Sequence, residues 1–165
     1  MHIIDINTSF GKRVDPDPRY GIEALAAVLD SHAVALALSY ATRAVYYDMR
    51  AGNDDTFAAA RRYPHILPVA ILNPHNFETL DAEWQRCRAH GTRAVRLFPM
   101  SQRWSVSNIV FQSLLKRLEG SGICLIFSLA DNDFFAAGVP DHDYPAKIAR
   151  ATAGSGLSVI LTDTN

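Results

Sequence analysis

The chain of 165 residues is 48% hydrophobic and 20% charged, with a formal net charge of −1. That composition supplies the core of one globular domain over 1–165, and the absence of any Lys/Arg-rich segment excludes nucleic acid as a main partner. Apolar runs break within about ten residues, too short to span a bilayer, and the N-terminus lacks the basic-then-apolar order of a signal peptide. No membrane partner and a cytoplasmic location are therefore expected.

The first strand is predicted over 2–10, within HIIDINTSFG. Side chains alternate along a strand, so Ile4, Ile6, Thr8 and Phe10 share a largely apolar face, and Asp5, Asn7 and Ser9 share the other with Ile3. First strands of α/β proteins normally bury both faces, so three polar side chains in a row point to a purpose. Further strands are predicted over 35–41, 66–73, 92–98, 123–130 and 157–163. Helical patterns fill the gaps at 21–32, 54–63, 76–90, 107–119 and 144–153. Asn53, Asn76 and Ser107 are the expected N-caps, and Gly91, Gly120 and Gly154 stand just past helix ends. Cys87 on a helix and Cys124 on a strand are expected to be reduced, buried thiols.

Strict alternation of strand and helix implies a parallel sheet with right-handed crossovers. Helix-to-strand turns are short, whereas the strand-to-helix loops 11–20, 42–53, 99–106 and 131–143 are long. Groups that bind are expected on that long-loop side, at the C-terminal ends of the strands. An open doubly wound sheet and a (β/α) barrel both fit the rhythm. The first strand-to-helix junction carries neither G-x-G-x-x-G nor G-x-x-x-x-G-K-[ST], which weakens the nucleotide-binding alternative. Polar side chains near several strand ends, namely Asp5, Asn7, Ser9, Arg96, Ser128 and Asp163, favour the barrel, where such faces converge on one mouth. The expected fold class is α/β, a TIM-barrel-like (β/α) parallel sheet showing about six of the eight units of a full barrel.

Three stretches carry a resemblance: HIIDINTSFG at the start, PHILPVAILNPHNFETLDAEWQRCRAHGTRAVRLFP over 64–99, and GICLIFSLA over 122–130. Through them the chain resembles the amidohydrolase-related ("amidohydrolase 2") family of metal-dependent hydrolase TIM barrels over nearly its whole length. Members of that family usually open with D-x-H-x-H, two imidazoles on one strand face that reach a divalent ion such as zinc. Asn7 and Ser9 stand at those histidine positions here. Ser128 stands where the family tends to place a histidine at the fifth strand, and Asp163 where another often ends the sixth. A catalytic Asp at strand eight lies beyond this sequence.

Amide and hydroxyl oxygens are poor substitutes for imidazole towards zinc-like ions, so no cofactor is expected. Without an ion, nothing lowers the pKa of a bound water or polarises a carbonyl. The resemblance implies hydrolysis or decarboxylation of a small carboxylate, lactone or amide, with activity reduced or metal-free. The alternative is a non-catalytic ligand-binding or oligomer-partner protein, and a homo-oligomer is left open.

The replacements are polar, not apolar, which favours a wet pocket that still binds a small polar ligand. Asp163 and Arg96 are the catalytic candidates: Asp163 as a base at a strand's end, Arg96 as the partner of Asp5 or Asp163 or as a bidentate clamp for a substrate carboxylate. Asp5, Asn7, Ser9 and Ser128 are the substrate-binding candidates, with Asp5 read first as a structural acceptor. The clustered oxygens of Asp131, Asn132, Asp133, Asp141 and Asp143 with the imidazole of His142 read as a solvated loop rather than a metal site. Tyr46, Tyr47, Trp104, Phe134 and Phe135 are candidates for an apolar lid or for ordinary loop packing. His2, His32, His65, His75 and His90 are expected at the surface, and Trp84 on the buried stripe of its helix. A barrel of this type takes about 250 residues, so strands one and six are expected to be covered by a longer natural chain, or else by an assembly or a rearrangement to an open sheet.

Overall fold

The computed structural model describes residues 2–11, 17–129 and 143–163. Six strands are hydrogen-bonded in chain order: β1 (Ile3–Phe10), β2 (Val34–Ala41), β3 (Ile66–Ile71), β4 (Ala94–Leu97), β5 (Cys124–Ser128) and β6 (Ser158–Thr162). Between them run α1 (Ile22–Ser31), α2 (Arg43–Tyr46), α3 (Met49–Arg62), α4 (Leu80–Ala89), α5 (Ile109–Leu118) and α6 (Tyr144–Thr152). Parallel strands joined in sequence through helices make an α/β fold of the TIM-barrel type, with six of its roughly eight units. Backbone contacts divide the chain into two compact units, 1–71 with 85–94, and 72–84 with 95–165.

In the first unit, β1, β2 and β3 pair in parallel. Phe10, Ala41 and Ala59 form one apolar cluster with Ile22 and Leu25, and Leu29, Ala37 and Ile66 form another with Val34 and Tyr63. The bulk of β1 is not buried: Ile3, Ile4 and Ile6 are exposed, and Thr8 and Phe10 alone on this strand are buried. The expectation that its polar side chains would be expensive is thereby corrected, because Asn7 and Ser9 keep their water.

The segment 42–53 is not a loop. Asp48 caps α3, its carboxylate accepting from the Ala51 N–H at 2.9 Å, so the helix begins before Asn53 and not at it. Gly-Asn reads as turn chemistry, but both residues serve packing. A Cβ on Gly52 would lie 2.1 Å from the backbone nitrogen of Ala44, so α2 and α3 meet at a distance only glycine allows. Gly52→Ala should cost about 2–3 kcal/mol, read as a lowered denaturation midpoint; an unchanged midpoint would mean the two helices can separate freely.

Asn53 is fully buried in α3 and clamps the end of β3. Its Oδ1 accepts from the Ile71 N–H at 2.9 Å, and its Nδ2 donates to the Ile71 carbonyl at 3.0 Å. Thr56 does similar work on β2: its hydroxyl accepts from the Ala41 N–H and donates to the Gly52 carbonyl, each at 2.9 Å. Gly91 closes the segment after α4 at a φ of +77°, with its N–H on the Arg88 carbonyl at 3.0 Å.

In the second unit, the Trp104 ring lies tilted against Phe111 and Phe111 meets Phe127 edge to face, centroids 5.1 and 6.0 Å apart, and the Tyr144 hydroxyl donates to the Trp104 carbonyl at 2.9 Å. Trp104 is buried, which favours ordinary packing of the two roles left open for it. Two caps move. Asn76 lies in a turn, its N–H on the Asn73 carbonyl and its own carbonyl receiving the Thr79 N–H, so α4 starts at Leu80. Asn108, one residue after Ser107, caps α5 through the Val110 N–H at 2.8 Å. Trp84 is buried as expected.

Candidate functional site

The polar side chains at the strand ends fall into two sets, one in each unit. On β1 the pairing with β2 slips between Asp5 and Thr8, where three steps on β1 match the two from Ala37 to Ser39. Such a bulge interrupts strict alternation, so a shared face for Asp5, Asn7 and Ser9 cannot be read from period two. Asp5 Oδ1 accepts the Asn7 N–H at 2.9 Å, a local bond that holds the bulge. Thr8 is the buried polar residue of this strand. Its hydroxyl donates to the Leu38 carbonyl at 3.0 Å and meets the Ser39 hydroxyl.

The second set is denser. All four residues of β4 are buried, and one of them is Arg96, only 2% exposed. A guanidinium stays charged under all ordinary conditions, so burial obliges it to find oxygen partners. Arg96 Nε donates to Ser128 Oγ at 2.7 Å, and Nη2 donates to Thr162 Oγ1 at 3.0 Å and to Asp163 Oδ2 at 3.3 Å. The Thr162 hydroxyl lies 3.1 Å from the same Asp163 oxygen and 3.2 Å from Ser128 Oγ. The guanidinium carbon stands 5.4 Å from the centre of the Phe98 ring.

Topology explains the convergence. β5 and β6 are in register, with Ser128 opposite Thr162 at their C-terminal ends. Asp163 follows directly in the left-handed backbone region, φ +57°, a conformation Asp tolerates better than most residues. Arg96, Ser128 and Asp163 thus meet in one cluster, and of the pairings considered for Arg96 the one present is with Asp163. Thr162 completes the cluster and was not anticipated. Its signal in the sequence was the polar residue closing the apolar run LSVIL, as Ser128 closes ICLIF.

The other candidates are placed as follows. Neither Cys87, which is buried, nor Cys124, which is only half-buried and not enclosed as expected, is in a disulfide, and burial pushes the Cys124 thiol up, away from the thiolate that nucleophilic chemistry needs. His2, His32, His75 and His90 are exposed, and His90 stacks on Phe57 with ring centres 4.4 Å apart. His65 departs from the surface expectation: it is half-buried, with an enclosed Nε2. Tyr47 is exposed and Tyr46 half-buried. Asp131, Asn132, Asp133, Phe134, Phe135, Asp141 and His142 lie outside the described residues.

Among the described residues no three His, Cys, Asp or Glu side chains gather as a metal-binding group would require. The donors of the second set also fit a divalent cation poorly. Ser128 and Asp163 both sit on a fixed guanidinium charge, whose repulsion opposes a second cation at that range.

No family model matches the chain, and no curated protein is significantly similar to it in sequence. Solved structures do match. An uncharacterized TIM-barrel protein from Bordetella bronchiseptica superposes with a TM-score of 0.70 at 18% identity, over 96% of this chain and 66% of its own. The TIM-barrel fold has further matches. It is shared with a provisionally assigned amidohydrolase from Staphylococcus aureus (TM-score 0.65, 12% identity, 90% of this chain and 56% of that one). It is shared too with an amidohydrolase from Mycobacterium avium subspecies paratuberculosis (TM-score 0.59, 14% identity, 90% and 49%). This chain therefore spans between about half and two thirds of the length of the structures it matches. Among the described residues no helix is long and apolar enough to cross a membrane.

Proposed function

We propose that this protein binds a small carboxylate-bearing molecule through Arg96 and acts on it, if it turns over, as a metal-independent hydrolase or decarboxylase of the amidohydrolase-like type. The buried guanidinium carries this reading. It is a positive charge at the C-terminal end of β4, held by two hydroxyls, and a guanidinium is the side chain best matched to a planar carboxylate. Arg96 would hold the ligand's carboxylate. Asp163, 3.3 Å from the guanidinium and 36% exposed, would take a proton from the attacking water on a neighbouring lactone or amide carbon and return it to the leaving group. With Asn7 and Ser9 in place of D-x-H-x-H histidines, no ion assists, and turnover is expected to be slow.

A second reading is a ligand-binding protein without turnover. It is favoured by the neutral donors Asn7, Ser9 and Ser128 at the family's metal-ligand positions. Two measurements separate the readings. Purified protein analysed for metals should contain zinc and manganese well below one ion per chain, and stoichiometric metal would overturn the ligand-loss argument. A thermal-shift screen with small carboxylates should raise the melting temperature, whereas neutral amides of the same shape should not. Hits that are also consumed favour the enzyme, hits that survive favour the binder, and no hit removes both.

A further inference from the structure

Building on the reading of Arg96 as a carboxylate clamp, we propose that Asp163 is a displaceable stand-in for the ligand: its carboxylate holds the Arg96 site until an incoming carboxylate exchanges with it. Three observations carry this. Besides Asp163, the guanidinium is held by the Ser128 hydroxyl at 2.7 Å and the Thr162 hydroxyl at 3.0 Å. Arg96 therefore keeps its aim when Asp163 leaves. The Asp163 contact is long, 3.3 Å against the roughly 2.7–2.9 Å of a strong charge-assisted bond. The oxygen that makes it also lies within reach of Thr162 Oγ1. Finally, Asp163 comes from the solvent side. It stands one residue past β6 at a positive φ and is partly exposed, while its partner is buried.

The exchange follows from electrostatics. Two carboxylates drawn to one guanidinium repel each other at short range, so a tightly held ligand carboxylate and Asp163 compete for the same cation. The competition sets a threshold. A neutral ligand cannot displace Asp163 and is refused, whereas an anion of the same shape replaces a long ion pair with a shorter one. No covalent bond forms or breaks in the exchange. The released Asp163 is left beside the bound ligand, where the proposed function needs its base.

The test uses the full chain and calorimetric titration with benzoate and its neutral isostere benzamide, on the wild type, Asp163→Asn and Asp163→Ala. Removing the resident carboxylate should tighten benzoate binding about tenfold in both variants and leave benzamide binding unchanged. Two variants guard against a fault of one, and each is checked for a native thermal transition. Benzoate binding by the wild type that is equal or weaker in both variants overturns the exchange and leaves the clamp standing. Benzoate binding by none of the three proteins overturns the clamp, and the exchange falls with it. Tightening of benzamide in step with benzoate also overturns the exchange, because Asp163 would then block by bulk and not by charge.

Discussion

Arg96→Met is expected to destabilise the protein by about 3 kcal/mol and to abolish carboxylate binding. The loss comes from what the guanidinium leaves behind. Ser128 is buried and Thr162 nearly so, and both hydroxyls lose a charged donor, while Asp163 loses its counter-charge. The effect falls at the low end for broken buried pairs because Asp163 is partly exposed and water can solvate it. A cluster retained only for structure would tolerate full replacement by apolar groups, since removing both partners of a buried polar contact is far milder than removing one. Adding Ser128→Ala and Thr162→Val to Arg96→Met should therefore recover much of the stability and none of the binding. Chemical denaturation and the benzoate titration read the two effects separately. A single Arg96→Met variant as stable as the wild type would show that the cluster does not anchor β4, β5 and β6.

Asn53→Asp is expected to be comparably damaging, by roughly 2–4 kcal/mol at neutral pH, and to make stability pH-dependent. Asn53 is fully enclosed, and it gives a donor to the Ile71 carbonyl and an acceptor to the Ile71 N–H. An ionised Asp keeps the acceptor but faces the carbonyl with a second lone pair, and its charge is buried. Folding would raise the pKa of the introduced carboxyl above its unfolded value of about 3.9. The folded state then binds more protons than the unfolded one, so stability falls as pH rises. The loss is smallest below the unfolded pKa, where the carboxyl is protonated and donates to the carbonyl, and largest above the folded pKa. Denaturation midpoints of variant and wild type at about pH 4, near the unfolded carboxyl value, and at about pH 8, well above it, should diverge on going up. Curves that stay parallel would mean that water reaches the site.

The same two residues mark how far the sequence could be read. Asn53 and its neighbour Gly52 look like a turn, because Gly and Asn favour such conformations locally. Nothing local says that Gly52 lies against the Ala44 backbone or that Asn53 reaches Ile71, eighteen positions on. The same holds for β1. Alternation from Ile3 to Phe10 placed Thr8 and Phe10 correctly on a buried face, but the bulge between Asp5 and Thr8 depends on pairing with β2. Arg96, by contrast, was legible as an inward residue, since a charged side chain in the run RAVRLF must find partners wherever β4 is enclosed. Its contact with Asp163 was one of three roles the sequence left open, beside Asp5 and a ligand carboxylate, and Thr162 gave little signal because a lone hydroxyl at a strand's end is common.

By itself the sequence determined the alternation of six strands with helices, and the helix stop at Gly91. Strand and helix periods and a positive-φ glycine act over a few residues and need no distant partner. Only the tertiary structure decided where α3 begins, and which side chains close around Arg96. Those outcomes turn on burial of polar groups, and the penalty for leaving such a group unpaired is set by what the rest of the chain brings alongside it.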